Sequence, residues 1–216
     1  MTLRSAYSPT CMRTLSVTQF ISLDGVVQAP GGPDEDPRGG FELGGWVVPH
    51  FSEALGARVG ETHQRATEFL LGHRTYDIFA AHWPRVTDPA DTMATKLNGA
   101  VKHVASHTEP ALAWAHSRWV GADLGAAVRA LKAEGEGELQ VIGSGNLVQS
   151  LFALGLVDEL TLWTFPVMLG KGNRLFAADA PPRGMKLLES ADLDHGVTHR
   201  RYRVVGAPSA GSFALD

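Results

Sequence analysis

From Arg13 to Val205 the hydrophobic pattern switches repeatedly between a two-residue and a 3.6-residue period, and this alternation constrains the fold more than any other feature. Arg13–Ser22 alternates, with Leu15, Val17 and Ile21 on one face and Thr14, Ser16, Thr18 and Phe20 on the other, which predicts a strand. Glu68–Gly72, Val101–Ser106, Arg118–Val120 and Glu138–Ile142 read as further short strands. Asp158–Val167 is apolar on both faces, as a central strand covered on two sides should be. Between the strands, Val47–Ala66 reads as helical with a break near Gly56–Gly60. His73–His82, Asp91–Asn98, Asp123–Glu134 and Asn146–Leu154 complete the helices, with Gly155 as a C-terminal stop. Met185–Asp194 and Val197–Val205 flank His195-Gly196 as a hairpin. The expected architecture is α/β: a mixed, mostly parallel sheet with helices on both faces and a C-terminal antiparallel hairpin at its edge.

Composition narrows the function classes. The chain carries 19 Lys and Arg against 23 Asp and Glu, a net charge of −4, so it offers no basic stripe for a nucleic acid. Cys11 is the only cysteine, which excludes an intrachain disulfide framework and a cysteine-built zinc cage. The nine histidines follow no metal-ligand spacing, and no metal is expected. No run of eighteen apolar residues and no signal-peptide pattern occurs, so the expectation is a soluble cytoplasmic protein without a membrane partner. Met1–Cys11 and Ala207–Asp216 lack pattern and read as tails around a domain spanning residues 12–206.

Chemistry is expected where strands run into helices. Ile142-Gly143-Ser144-Gly145-Asn146 joins a strand to a helix; two glycines allow close backbone approach, and the helix start suits a phosphate or pyrophosphate. A tight turn that binds nothing fits the same residues equally well. Gly72-His73-Arg74-Thr75 makes a second such turn, with Arg74 suited to a bidentate phosphate contact or a solvated surface charge, and Thr75 to a phosphate oxygen or only a cap. Ser106-His107-Thr108 follows another strand and is either a phosphate contact or a polar loop. Asp24 ends the first strand beside the glycine- and proline-rich loop Asp24–Gly45, whose length suggests a lid or binding loop. Glu159 opens the central strand, and Lys171 sits between Gly170 and Gly172 where it could meet an anion. The five tryptophans read as core or interface rather than as a stacking platform.

Taken in order, Ser22-Leu23-Asp24-Gly25, Leu71-Gly72-His73-Arg74-Thr75-Tyr76, Val104-Ala105-Ser106, Val141–Gly145, Gly155–Leu160, Phe165–Gly172 and Leu175-Phe176 resemble the dihydrofolate reductase-like superfamily. The branch is that of the C-terminal reductase domain of the bifunctional riboflavin-biosynthesis protein, here without a preceding deaminase domain. The resemblance implies a three-layer α/β/α fold, a homodimer, and NADPH lying across the strand ends. It implies that Gly143, Ser144 and Gly145, flanked by Ile142 and Asn146, cradle the pyrophosphate. Arg74 and Thr75, beside Gly72, would hold phosphates, and Ser106 would lie near the adenosine 2′-phosphate. His107 stands where many relatives have Arg. On the substrate side it implies Asp24, Glu159 and the Gly170-Lys171-Gly172 loop, with Asp24 and Glu159 as catalytic candidates. Glu53 falls roughly where dihydrofolate reductases carry the acid beneath the pterin. The implied reaction is hydride transfer to a small heterocyclic or ribosyl substrate, as in 5-amino-6-(5-phosphoribosylamino)uracil reductase. A non-catalytic nucleotide-binding module of this fold and a dihydrofolate or pterin reductase stay open as alternatives.

Overall fold

The computed structural model describes residues 12–213. The expected tail Met1–Cys11 lies outside them; of the second tail, residues 207–213 are exposed and the last three lie outside the description. Eight strands form one sheet in the order β4-β3-β2-β5-β1-β6-β8-β7. They are β1 Thr14–Ser22, β2 Ala66–Gly72, β3 Val101–Ala105, β4 Ser117–Trp119, β5 Glu138–Ile142, β6 Glu159–Phe165, β7 Met185–Asp192 and β8 Thr198–Val204. The first six run parallel; β8 is antiparallel to both β6 and β7, so the expected hairpin edge is present. The helices are α1 Glu53–Gln64, α2 His73–His82, α3 Thr92–Gly99, α4 Leu124–Glu134 and α5 Gly145–Ala153.

The layers follow from the crossovers. The connections β1–β2 and β2–β3 run one way along the sheet, while β4–β5 and β5–β6 run back. Right-handed crossovers in opposite senses put their helices on opposite faces. Accordingly, Leu15, Val17, Val141 and Leu160 of the sheet pack with Val128 of α4 and Leu151 of α5. On the other face Phe69 and Val104 pack with Tyr76 of α2 and Leu97 of α3, while Trp163 and Phe165 pack with Leu55 and Val59 of α1. The result is the expected three-layer α/β/α arrangement. Among the described residues no helix is long and apolar enough to cross a membrane.

The polar residues of β1 lie inside: Ser16 and Thr18 are buried because β5 and β6 flank the strand and α1 covers it. Their hydroxyls are satisfied inside, Ser16 Oγ donating to Glu138 Oε1 at 2.5 Å and Thr18 Oγ1 accepting from Trp163 Nε1 at 3.2 Å. The segment Val47–Ala66 is not one helix broken at Gly56–Gly60. A 3-10 turn spans Val48–His50, and α1 starts after Ser52, whose side chain caps the amide of Leu55 at 3.1 Å. The break sits at the cap, and both glycines lie inside a continuous helix.

The long loop after β1 is packed rather than open. Val26, Ala29, Phe41 and Trp46 are buried, and Trp46 Nε1 donates to the Gln28 carbonyl at 2.8 Å.

Candidate functional site

Strands β2 and β5 are neighbours whose chains leave in opposite directions, the kind of switch point where parallel sheets form a crevice beyond their carboxyl ends. A cleft of about 950 Å³ opens there, at the upper end of the ~300–1,000 Å³ usual for small-molecule sites. The two strand tips are tied together by one side chain. Ser144 Oγ accepts the Gly72 amide at 2.9 Å and donates to the Ile142 carbonyl at 3.3 Å. Gly143 (φ 56°) and Ser144 (φ 60°) both adopt left-handed backbone, which turns the chain sharply from β5 into α5. A Cβ on Gly72 would lie 3.3 Å from Ser144 Oγ, a tight contact that the glycine avoids.

Helix starts set the electrostatics. Helices α1, α3 and α4 begin with Ser52, Asp91 and Asp123, each accepting a backbone amide of its first turn. By contrast α2 and α5 begin at Gly72 and Ser144 with no side-chain cap among the described residues. The first intrahelical bond of α5 joins the Val148 amide to the Ser144 carbonyl, so the preceding amides have no helical acceptor and face the cleft mouth. Two uncapped positive helix ends on one crevice fit a group carrying several phosphates. Arg74 and Thr75 of α2 line the same wall, and Ser106 and His107 line it beyond the end of β3. Arg74 Nη1 lies 3.4 Å from Asp36 Oδ1 of the long loop, and the Arg38 guanidinium makes two bonds to the same carboxylate, at 2.7 and 2.6 Å. These bonds, the Arg38 contact first, hold the Asp36 carboxyl below its usual range.

The cleft continues between α1 and the sheet, where Gly56, Gly60, His63 and Trp163 line it together with Phe51. Glu35 of the loop reaches this space, accepts the Gly31 amide at 2.6 Å, and is pushed up from the usual carboxylate range by burial.

The strand-tip residues Gly72, Arg74, Thr75, Ser106, Ile142, Gly143, Ser144, Gly145 and Asn146 thus share one cleft. The substrate-side expectations are less well met. Glu159 opens β6 opposite Ser16, four residues before Trp163, which lines the cleft, so roughly 13 Å along the strand from it. It is bonded there to Arg201 and Arg203 at 3.4 and 3.1 Å and is no part of the site.

Glu53 is exposed in the first turn of α1 and does not line the cleft. Asp24 is a loop anchor: Ser22 Oγ donates to it at 2.6 Å, and the Leu169 and Gly170 amides at 3.1 and 2.8 Å. These contacts, Ser22 foremost, bring its pKa to about 2, so it cannot supply a proton near neutrality. Gly170 and Lys171 are occupied in the same anchoring, Lys171 Nζ donating to the Gly40 carbonyl at 2.9 Å. Lys171 and Gly172 border a smaller adjoining hollow of about 330 Å³ with Arg38 and Asn146.

Sequence reasoning missed Gln19, His63, Glu35 and Gly121, all of which line the cleft. A polar Gln19 on the otherwise apolar face of β1 was the available signal; its side-chain amide donates to the Gly143 carbonyl and braces the turn. His63 and Gly121 carried no pattern that sets them apart. Among the described residues no group of three or more His, Cys, Asp or Glu side chains is arranged to hold a metal.

Comparison with known proteins adds a family context. The model of the RibD C-terminal domain matches residues 13–199. Uncharacterized protein YyaP of Bacillus subtilis (strain 168) is 26% identical over 136 residues, covering 62% of this chain and 71% of its own. Among solved structures, a putative riboflavin biosynthesis protein from Shewanella sp. PV-4 superposes with a TM-score of 0.63 at 19% identity, covering 89% of this chain and 99% of that one. A pyrimidine reductase-like protein from Corynebacterium diphtheriae gives 0.57 at 12% identity over 89% and 92% of the two chains. The diaminohydroxyphosphoribosylaminopyrimidine deaminase/5-amino-6-(5-phosphoribosylamino)uracil reductase of Thermotoga maritima gives 0.57 at 15% identity over 90% of this chain and 57% of that one. At these identities the structures establish the shared fold alone.

Proposed function

Because the chain belongs to the RibD C-terminal domain family, we propose that it is a nicotinamide-dinucleotide-dependent reductase, using NADPH, that acts on a small heterocyclic or ribosyl-pyrimidine substrate. The observation that carries this reading is the pair of uncapped helix starts, α2 and α5, locked side by side through Ser144 and Gly72 at the mouth of the cleft. An uncapped helix start leaves its first amides without protein acceptors, and a pyrophosphate supplies them. Bound there, the cofactor supplies a hydride.

The protein's own contribution is placement and charge. The amides of Gly145 and Asn146 and the Arg74 guanidinium hold phosphates, and Ser106 and His107 receive the adenosine end. The packed loop after β1, with Ala29 and Trp46 buried, covers the compartment between α1 and the sheet and keeps water from the reacting carbon. Glu35 is the cleft carboxyl that retains a proton most readily, since burial raises it while arginines hold Asp36 ionised. It is assigned as the proton donor. A homodimer is proposed from the family resemblance alone; a sedimentation mass of 23.1 kDa at micromolar concentration would remove it.

Titration with NADPH and NADH, followed by thermal unfolding, tests the reading directly. Saturation to a hundred times Kd should add about 2.7 kcal/mol of stability. Arg74→Ala should reduce the NADPH effect more than the NADH effect if Arg74 meets the 2′-phosphate. A melting temperature unmoved by either dinucleotide would sink the proposal. A shift without oxidation of the reduced nicotinamide by any pyrimidine or pterin would leave a binding module.

A further inference from the structure

Helix α1 turns Gly56, Val59, Gly60 and His63 toward the cleft, spaced i, i+3, i+4 and i+7 along one stripe. The two glycines add no side chain to the wall that α1 gives the cleft, which Phe51 and Trp163 also line. A Cβ on Gly56 would already come within 3.2 Å of the Phe51 ring. This part of the cleft favours a flat ring, and one polar group of α1 borders it, the His63 imidazole.

The protonation of that imidazole is dictated by its neighbour. His63 is 3% exposed, and its Nδ1 is hydrogen-bonded to Gln140 Oε1. The other amide atom of Gln140 lies 3.2 Å from the Thr62 carbonyl oxygen and 2.9 Å from Glu138 Oε1. A carbonyl and a carboxylate oxygen only accept, so that atom is the NH₂ and the oxygen faces His63. Nδ1 must therefore donate. Glu138 is itself fixed by Ser16 Oγ at 2.5 Å and Arg65 Nε at 3.3 Å, which anchors a carboxylate–amide–imidazole chain running from the rim of the sheet to the cleft. Burial brings the His63 pKa to about 4, so near neutrality the ring carries one proton, on Nδ1. Nε2, on the opposite ring edge, carries a bare lone pair with no hydrogen-bond partner described, and His63 lines the cleft.

We propose that His63 is a substrate-binding, specificity-determining residue: a neutral hydrogen-bond acceptor, fixed in one tautomer by Gln140, that reads a ring N–H of a planar heterocycle lying between α1 and Trp163. For its ligand the inference rests on the reductase reading; for its tautomer it does not. An N–H presented to Nε2 is matched, whereas an N-alkylated ring at the same place brings no donor and meets an imidazole with no room to turn. His63 has no proton to give, so it selects the substrate and leaves proton donation elsewhere.

The full chain labelled with ¹⁵N-histidine, saturated with NADPH, allows a test by imidazole nitrogen shifts with uracil and 1,3-dimethyluracil as probes. Before any probe, His63 should show a protonated Nδ1 and an unprotonated Nε2 that does not change between pH 6 and 8. Uracil should move the Nε2 resonance toward its hydrogen-bonded position, and the dimethyl compound should not. His63→Leu should weaken uracil binding about tenfold or more, because a buried N–H then goes unmatched. His63→Gln, which can place a carbonyl oxygen where Nε2 was, should recover most of that loss. A proton found on Nε2, or no response to uracil, or equal responses to both probes, would overturn the proposal, and all three are read on the unsubstituted protein. If the dinucleotide itself leaves the melting temperature unchanged, the reductase reading falls while the tautomer and probe results still decide the role of His63.

Discussion

Ser144 holds a left-handed backbone conformation that costs an L-residue about 1–2 kcal/mol, yet its hydroxyl is the only side-chain bridge described between the tips of β2 and β5. The two effects separate by substitution. Ser144→Ala keeps the strain and leaves the Gly72 amide without its acceptor, so urea denaturation should show a loss of about 1–3 kcal/mol. Ser144→Gly loses the same bond but relieves the backbone, and should cost clearly less. Equal losses for the two variants would refute the strain argument. A second residue-scale expectation concerns pH. The folded pKa of His63, about 4, lies below the ordinary 6.5 because burial disfavours the charged ring. The unfolded chain therefore binds the extra proton first. Its contribution to stability is whole above pH 7 and is lost as pH falls toward 4, by on the order of 2 kcal/mol between pH 7 and 5. Asp24, lowered to about 2, adds a further loss only between pH 4 and 2. Denaturation of wild type and His63→Gln at pH 7 and pH 5 should show the steeper decline in the wild type. For Glu35, the assigned proton donor, Glu35→Gln should cut turnover by about 10²–10⁴ without changing dinucleotide affinity, as single-turnover rates and titrations would report.

At the level of elements, the periodicities of β1, β2, β5 and α4 and the glycine turn after β5 were plain in the sequence, because each rests on local pattern. What local pattern could not supply was which end of a strand faces the cleft. Asp158-Glu159 looks the same whether it opens a strand at the site or far from it, and only the parallel pairing of β6 with β1 puts Glu159 at the wrong end. Glu159→Gln should accordingly leave dinucleotide binding and turnover unchanged, as titration and steady-state rates would report. Gly56 and Gly60 misled for a related reason. Glycine in a helix lowers its propensity, so a break was the local expectation. Packing decided otherwise, since the Ser52 cap starts the helix late and tertiary contacts of Leu55 and Val59 hold it through both glycines. His63 was illegible because its role depends on Gln140, 77 residues away and recognisable only once β5 lies beneath α1.

Across the whole molecule, the core of the sheet is assembled from distant parts of the chain. β1 lies between β5 and β6, and the hairpin β7–β8 covers the outer side of β6. A fragment spanning residues 12–157 keeps five strands but leaves one edge of β1 unpaired and Leu15, Val17 and Ile21 without their partner Leu160. It should show no cooperative urea transition, and a sharp midpoint in that fragment would contradict this account of the core. The same placement has a consequence during synthesis. Over a hundred residues separate Ser22 from Glu138, so at about 5–20 residues per second β1 spends on the order of ten seconds outside the ribosome before either neighbour exists. The earliest strand to be translated is among the last to be enclosed, and in the interval its apolar face must be shielded by something other than its own sheet.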